Sequence, residues 1–223
     1  DWAGRTVRHV GRVVHRWLRI ICEQGLDNWS PERIESMRHF LKHDLLASGV
    51  AVGELEPAAD RAVSSLSNAV GCQTGRWILS SHQQGACEYA LSGYAGGQLI
   101  HGIIDRTFVD ENGARWIIDY KTGQPKTNCK DMPSLFEKNG NHAALQALIY
   151  CRMYHETQMP DGDIYPGLYF FRRIYQENFD CAITLNKQPF SYKLVKDDLD
   201  EHLRNLLSEI FDPEQSFVKT DDK

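Results

Sequence analysis

Two aspartates and a lysine stand in the stretch GIIDRTFVDENGARWIIDYKTG, residues 102–123, where the flanking residues ask for buried strands. Ile103 and Ile104 run into Asp105, and Trp116, Ile117 and Ile118 run into Asp119, with Lys121 two positions on. Glu111-Asn112-Gly113 suits a three-residue hairpin loop with Gly113 in the left-handed position. Pairing Asp110 with Ala114 and counting inward sets Asp105 opposite Asp119. Alternation along a strand then puts Asp119, Lys121 and Asp105 on one face. Opposed Cβ atoms lie roughly 4.5–5.5 Å apart, where like charges destabilise a sheet. Two carboxylates ~4 Å apart repel by roughly 4 kcal/mol at an effective dielectric of about 20. A divalent cation turns that repulsion into attraction, and oxygen ligands suit Mg²⁺. The plainer reading of either aspartate alone is an edge carboxylate, or one paired with an arginine such as the adjacent Arg106.

Elements of the right kind surround this hairpin. The stripe Val7, Val10, Val14, Leu18 and Ile21 predicts a helix over 5–24. Ser30-Pro31 makes an N-cap and first turn, and Gly49 a stop, so a second helix is expected over 31–47. A third runs from Pro57 to about Val70. Strands are expected at Arg76–Ser80, Ala86–Ser92, Gln98–Val109 and Ala114–Tyr120, rich in Ile, Trp, Tyr and Phe. A polar loop with Gly123, Pro125 and Pro133 leads to a helix at about 141–157. Further strands at Pro166–Tyr175 and Asn178–Thr184 precede an amphipathic helix at 197–211. The expected fold is α+β, with a helical N-terminal part (1–75) packed on a sheet-centred core (76–223) as one compact domain.

Composition narrows the class. A chain of 223 residues, 42% hydrophobic, can bury a substantial core. No apolar run approaches the ~20 residues of a membrane span, and no signal peptide opens the sequence. Its first residue is Asp1, which suggests a fragment of a longer polypeptide. The cysteines at 22, 72, 87, 129, 151 and 181 form no C-x-x-C pair. That argues against a zinc or iron–sulfur cage within the chain and fits a reducing cytoplasm. The absence of a G-x-x-x-x-G-K-[ST] loop excludes an ATP-driven motor in these residues. Although the net charge is −5, Arg5, Arg8, Arg12, Arg16 and Arg19 recur at helical spacing and form one basic face, suited to phosphates or simply solvated.

The order GRVVHRWL (11–18), GIIDR (102–106), IIDYKTG (117–123) and LQALIY (145–150) resembles the nuclease domain of RecB and AddA, within the PD-(D/E)xK superfamily. The specific part of the likeness spans Glu88 to Tyr150. It implies a restriction-endonuclease-like fold, a central mixed sheet flanked by helices. It also implies a Mg²⁺-dependent deoxyribonuclease, with Mn²⁺ able to substitute, that leaves 5′-phosphate and 3′-hydroxyl ends. Asp105, Asp119, His15 and the backbone carbonyl of Tyr120 would hold the metal. Lys121 would position the water and the scissile phosphate, and Gln146 and Tyr150 would buttress the site and the DNA strand. Beside these roles stand plainer ones: a solvated basic face for His15, a buried structural amide for Gln146, ordinary core for Tyr150. Glu88 resembles an acidic position seen before the motif in some relatives, and also suits a surface strand. Arg12, Arg16 and Arg19 would contact DNA. The likeness further implies a helicase partner, upstream in the same polypeptide or in another subunit, and a role in double-strand break processing and recombinational repair. Two other readings fit the residues: a catalytically inactive nuclease-like module that binds DNA or a partner, and a stand-alone repair or CRISPR-associated nuclease.

Overall fold

The computed structural model describes residues 2–95, 98–123, 142–158, 164–170 and 182–183. Helices α1 (Trp2–Gln24), α2 (Pro31–Ser36), α3 (Arg38–Ala47), α4 (Leu55–Gly71) and α5 (Gln73–Leu79) come first. Strands β1 (Gln83–Ala95), β2 (Gln98–Val109) and β3 (Arg115–Lys121) follow, then α6 (His142–Gln158), β4 (Ile164–Phe170) and β5 (Ala182–Ile183). The five strands form one sheet in that order. Among the described strands only β3 and β4 run parallel, and α6 lies in the connection between them. The architecture is α+β, with a mixed sheet and helices on both sides.

The helical part and the sheet share a core. Val10, Val14, Leu18 and Ile21 of α1 are buried, while Val7, at the start of the same stripe, is 44% exposed. Phe108, Trp116, Ile118 and Tyr120 join the cluster built by α1 to α5. Trp77 meets Phe108 and Trp116 edge-on, with centroids 5.1 and 5.2 Å apart. On the other side α6 packs on β1, β3 and β4, and Ile117, Ala147 and Cys151 are fully buried.

Two expectations about elements need correction. Arg76–Ser80 is not a strand: Arg76 to Leu79 belong to α5, which is capped by Cys72, whose Sγ accepts from the Gly75 amide at 3.2 Å. The expected helix over 31–47 is two helices, broken at Met37 (φ −89°, ψ 4°). The expected helix at 197–211 lies outside the described residues, as do Phe171–Tyr175, Asn178–Cys181 and Thr184 of the two late strands.

The hairpin between β2 and β3 forms as its turn chemistry requires. The Asp110 amide donates to Ala114 O (2.9 Å), the Gly113 amide donates to Asp110 O (3.1 Å), and Gly113 is left-handed at φ +79°. The ladder pairs Val109 with Arg115 and Arg106 with Ile118, the last pair before Asp105 and Asp119. The Asp110 carboxylate fastens the turn, accepting from the amides of Asn112 and Ala114 and from Trp116 Nε1, each at 2.9 Å.

Candidate active site

Asp119 and Lys121 leave β3 on the same face, as strand alternation requires. Lys121 Nζ lies 2.5 Å from Asp119 Oδ2 and donates to Gln146 Oε1 on α6 at 3.4 Å. Gln146 Nε2 donates in turn to the Tyr150 hydroxyl at 3.0 Å, the two residues being neighbours at i and i+4. A polar line therefore runs from β3 into α6. The Tyr150 ring occupies the space left open by Gly102: a Cβ there would overlap the ring. Hence the glycine of GIIDR seats the tyrosine of LQALIY.

Asp105 is held from two directions. The Tyr120 amide donates to Oδ2 at 2.7 Å, and His15 Nδ1 of α1 lies 3.1 Å from Oδ1. The imidazole also stands edge-on to the Tyr120 ring, at 5.6 Å between centroids. Helix α1 thus enters the site through the residue the sequence singled out. Arg106 does not neutralise Asp105. Its guanidinium turns inward to the C-terminal end of α5, donating to Ile78 O (3.2 Å) and Ser80 O (2.9 Å) and reaching Cys87 Sγ at 3.6 Å.

The arginine face divides. Arg5, Arg8 and Arg12, with His9, His15 and Glu88, line an open cavity of about 660 Å³ beside Asp105's partner His15. Arg16 faces Asp44 at 3.7 Å. Arg19 pairs with Glu88 and with Glu23 at 3.5 Å. Glu88 reaches α1 from a left-handed backbone, φ 49°, a conformation that costs a non-glycine residue about 1–2 kcal/mol. The sequence pattern did not disclose that strain.

The charges respond to one another. Burial pushes the Asp119 carboxyl up to about 6, and the negative charge of Asp105 adds to this while Lys121 opposes it. Burial would lower the His15 imidazole, but the bond to Asp105 and the charges of Asp105 and Asp119 outweigh it and hold the group above its ordinary value. One electrostatic neighbourhood therefore contains both aspartates, His15 and Lys121. By type these donors suit a hard divalent cation: two carboxylates, an imidazole and a nearby main-chain carbonyl. Among the described residues no group of three or more His, Cys, Asp or Glu is arranged to hold a metal ion. Within this neighbourhood His15 pairs with Asp105 and Lys121 with Asp119, adjacent opposite charges satisfying each other.

Residues that the sequence reading did not single out also shape the site. Gly102 seats Tyr150, Asp110 locks the hairpin that sets the register, and His9 extends the cavity, 3.0 Å from Arg12 Nη2. Asp110 was legible in principle: an aspartate opening a tight turn accepts local amides. Gly102 was not, because its partner lies on a distant helix.

Among the described residues no helix is long and apolar enough to cross a membrane. A search among curated proteins finds no match. A family model described as the PD-(D/E)XK nuclease superfamily matches residues 3–222, almost the entire chain. The chain belongs to the PD-(D/E)XK nuclease superfamily, and its α+β fold is the restriction-endonuclease-like one.

Proposed function

We propose, from membership of a nuclease superfamily and the layout of the site, that this chain is a metal-dependent deoxyribonuclease that hydrolyses phosphodiester bonds. The observation that carries the reading is the line Asp119, Lys121, Gln146, Tyr150 standing beside the pair His15 and Asp105. Asp105, Asp119, His15 and the Tyr120 carbonyl would hold Mg²⁺ or Mn²⁺. When bound, such an ion polarises the phosphate and lowers the pKa of its water. Lys121, released from Asp119, carries a positive charge to the phosphate oxygens and stabilises the charge that develops on them. Gln146 limits where the ammonium can go, and Tyr150 fixes Gln146. The cavity arginines Arg5, Arg8 and Arg12 neutralise neighbouring phosphates.

The motif order further supports a place in double-strand break processing and recombinational repair. There the nuclease would work with an ATP-dependent helicase, in the same polypeptide or a partner subunit, in the cytoplasm. A second reading has one observation in its favour: His15 pairs with Asp105 and Lys121 with Asp119, as in a module that binds nucleic acid without cutting it. One experiment separates the two. Linear DNA incubated with the full chain and Mg²⁺ or Mn²⁺ is degraded, and chelator stops it. Lys121→Ala and Asp119→Asn each reduce the rate by at least about two orders of magnitude, in the range of removing a positioned electrostatic group. Degradation at the wild-type rate by both variants sinks the catalytic reading.

A further inference from the structure

The ribbon of β1 and β2 outruns the rest of the sheet. Strand β3 pairs with β2 only from Arg106 to Val109, whereas β1 stays paired with β2 out to Ala95 and Gln98. Beyond Glu88 and Asp105 the ribbon has two unlike faces. The inner face lies on α6: Gly93 packs against Met153, Gly102 against Tyr150, and Leu91 and Ile104 are buried. The outer face carries the cross-strand pairs Ala90 with Ile103, Ser92 with His101, and Tyr94 with Leu99. Nothing described covers it. Tyr94, Leu99 and Ile103 are 62%, 54% and 58% exposed, and exposed His101 is tied to Ser92 Oγ at 2.7 Å.

One exposed leucine needs no explanation, but a row of apolar groups on one face does. Among the described residues seven large hydrophobics are exposed, and three of them stand in this row. The row leads towards Glu88 and Asp105, which lie between the pairs Cys87–Arg106 and Tyr89–Ile104. Glu88 also lines the arginine cavity of α1. An apolar, partly aromatic track and a cationic one thus meet at the candidate active site.

A ligand that suits both must be a polyanion that presents flat apolar groups along its length. A single nucleic-acid strand does so, and its bases stack on aromatic and apolar side chains while its phosphates meet arginines. A duplex keeps its base faces stacked inside and would leave the row bare. We infer that the outer face of the β1–β2 ribbon is a base-stacking platform for an unpaired nucleic-acid strand, which it leads to the acids at the ribbon's base. The inference rests on the nuclease reading of the site for the identity of its ligand, and names the form of that ligand. Tyr94 and His101 offer rings to the bases. Leu99 and Ile103 offer the apolar surface between them.

The test measures binding, in chelator, so that no turnover is needed. Anisotropy titrations of the full chain compare an oligothymidylate with an abasic strand of equal length and with a duplex. The wild type should bind the base-bearing strand at least about fivefold more tightly than the abasic one, since each stacked base contributes ~1–3 kcal/mol. Tyr94→Ala/Ile103→Ala should abolish that ratio and leave the melting temperature nearly unchanged, both side chains being exposed. Arg5→Gln/Arg12→Gln should weaken both strands and keep the ratio. A wild-type ratio near one, a ratio that survives in Tyr94→Ala/Ile103→Ala, or a duplex held as tightly as the single strand would each overturn the proposal. So would sedimentation that finds a wild-type dimer made monomeric by Tyr94→Ala/Ile103→Ala, which assigns the face to a second copy. Cleavage that persists in Asp119→Asn strikes the catalytic reading by itself and leaves these ratios standing.

Discussion

Asp119 is a carboxylate whose burial works against its charge. It is 5% exposed, and its carboxyl is raised from the ordinary 3.8 to about 6. Because the folded-state value lies above the unfolded one, the folded protein binds this proton more tightly. The associated stability is complete below pH 3.8 and is lost as pH rises through about 6. In chelator, Asp119→Asn should therefore match the wild type near pH 4 and exceed it near pH 7 by on the order of 3 kcal/mol. Thermal melts at the two pH values test this, and equal curves at pH 7 would show that Asp119 carries no such penalty. Mg²⁺ added at pH 7 should raise the wild-type melting temperature and leave that of Asp119→Asn unmoved. A second residue-scale expectation concerns Cys87. A hydrogen bond from Cys22 and the charge of Arg106 outweigh burial and bring its thiol from 9.0 down to about 7, while the same pairing pushes Cys22 up. Alkylation by iodoacetamide, followed by mass spectrometry against pH, should show Cys87 reacting with a midpoint near 7 and Cys22 reacting far more slowly. In Cys22→Ala that midpoint should rise. An unchanged midpoint would discount the thiol–thiol bond.

At the scale of elements, the contact that joins β2 to α6 is the least forgiving. Gly102→Ala drives a methyl into the Tyr150 ring, and with it disturbs Gln146 and Lys121. Such overpacking costs about 1–3 kcal/mol, which urea unfolding measures, and cleavage should fall with it. A variant as stable and active as wild type would show that the ring can step aside freely. What the sequence disclosed and what it hid follow the same division between local and distant causes. The α1 stripe, the Ser30 cap (its Oγ accepts from the Arg33 amide at 3.2 Å) and the Gly113 turn are set by residues within a few positions of each other. So is the register that pairs Arg106 with Ile118, beside Asp105 and Asp119. Trp77-Ile78-Leu79 carries no period, and such a run reads equally as strand or buried helix. Tertiary packing decides for helix, because Trp77 is needed between Phe108 and Trp116. The break at Met37 has no glycine or proline to announce it. For the site, residue types and order gave the candidates. The pairing of His15 with Asp105, the division of the arginines and the seat of Tyr150 all depend on where α1 and α6 lie against the sheet.

Over the whole molecule the net charge of −5 conceals a local cationic surface, and the arginines on it are unequal. Arg5 and Arg12 line the cavity, whereas Arg16 and Arg19 already face Asp44, Glu23 and Glu88. Arg5→Gln/Arg12→Gln should flatten the slope of log affinity against log salt for a single strand by about 1.4, if both meet phosphates. Arg16→Gln should leave it unchanged. Titrations at several salt concentrations test both, and equal slopes for all three proteins would remove α1 from the binding surface. The bond from His15 to Asp105 also joins residues 90 positions apart. Ribosomes add roughly 5–20 residues per second, so the helix that supplies the imidazole is exposed on the order of ten seconds before its acid partner has been made. During synthesis the chain first carries a basic helix without carboxylates opposite it. A product that stalls before β2 would keep the cationic arm and lack both aspartates: able to hold nucleic acid, unable to break it, and a competitor of the finished protein.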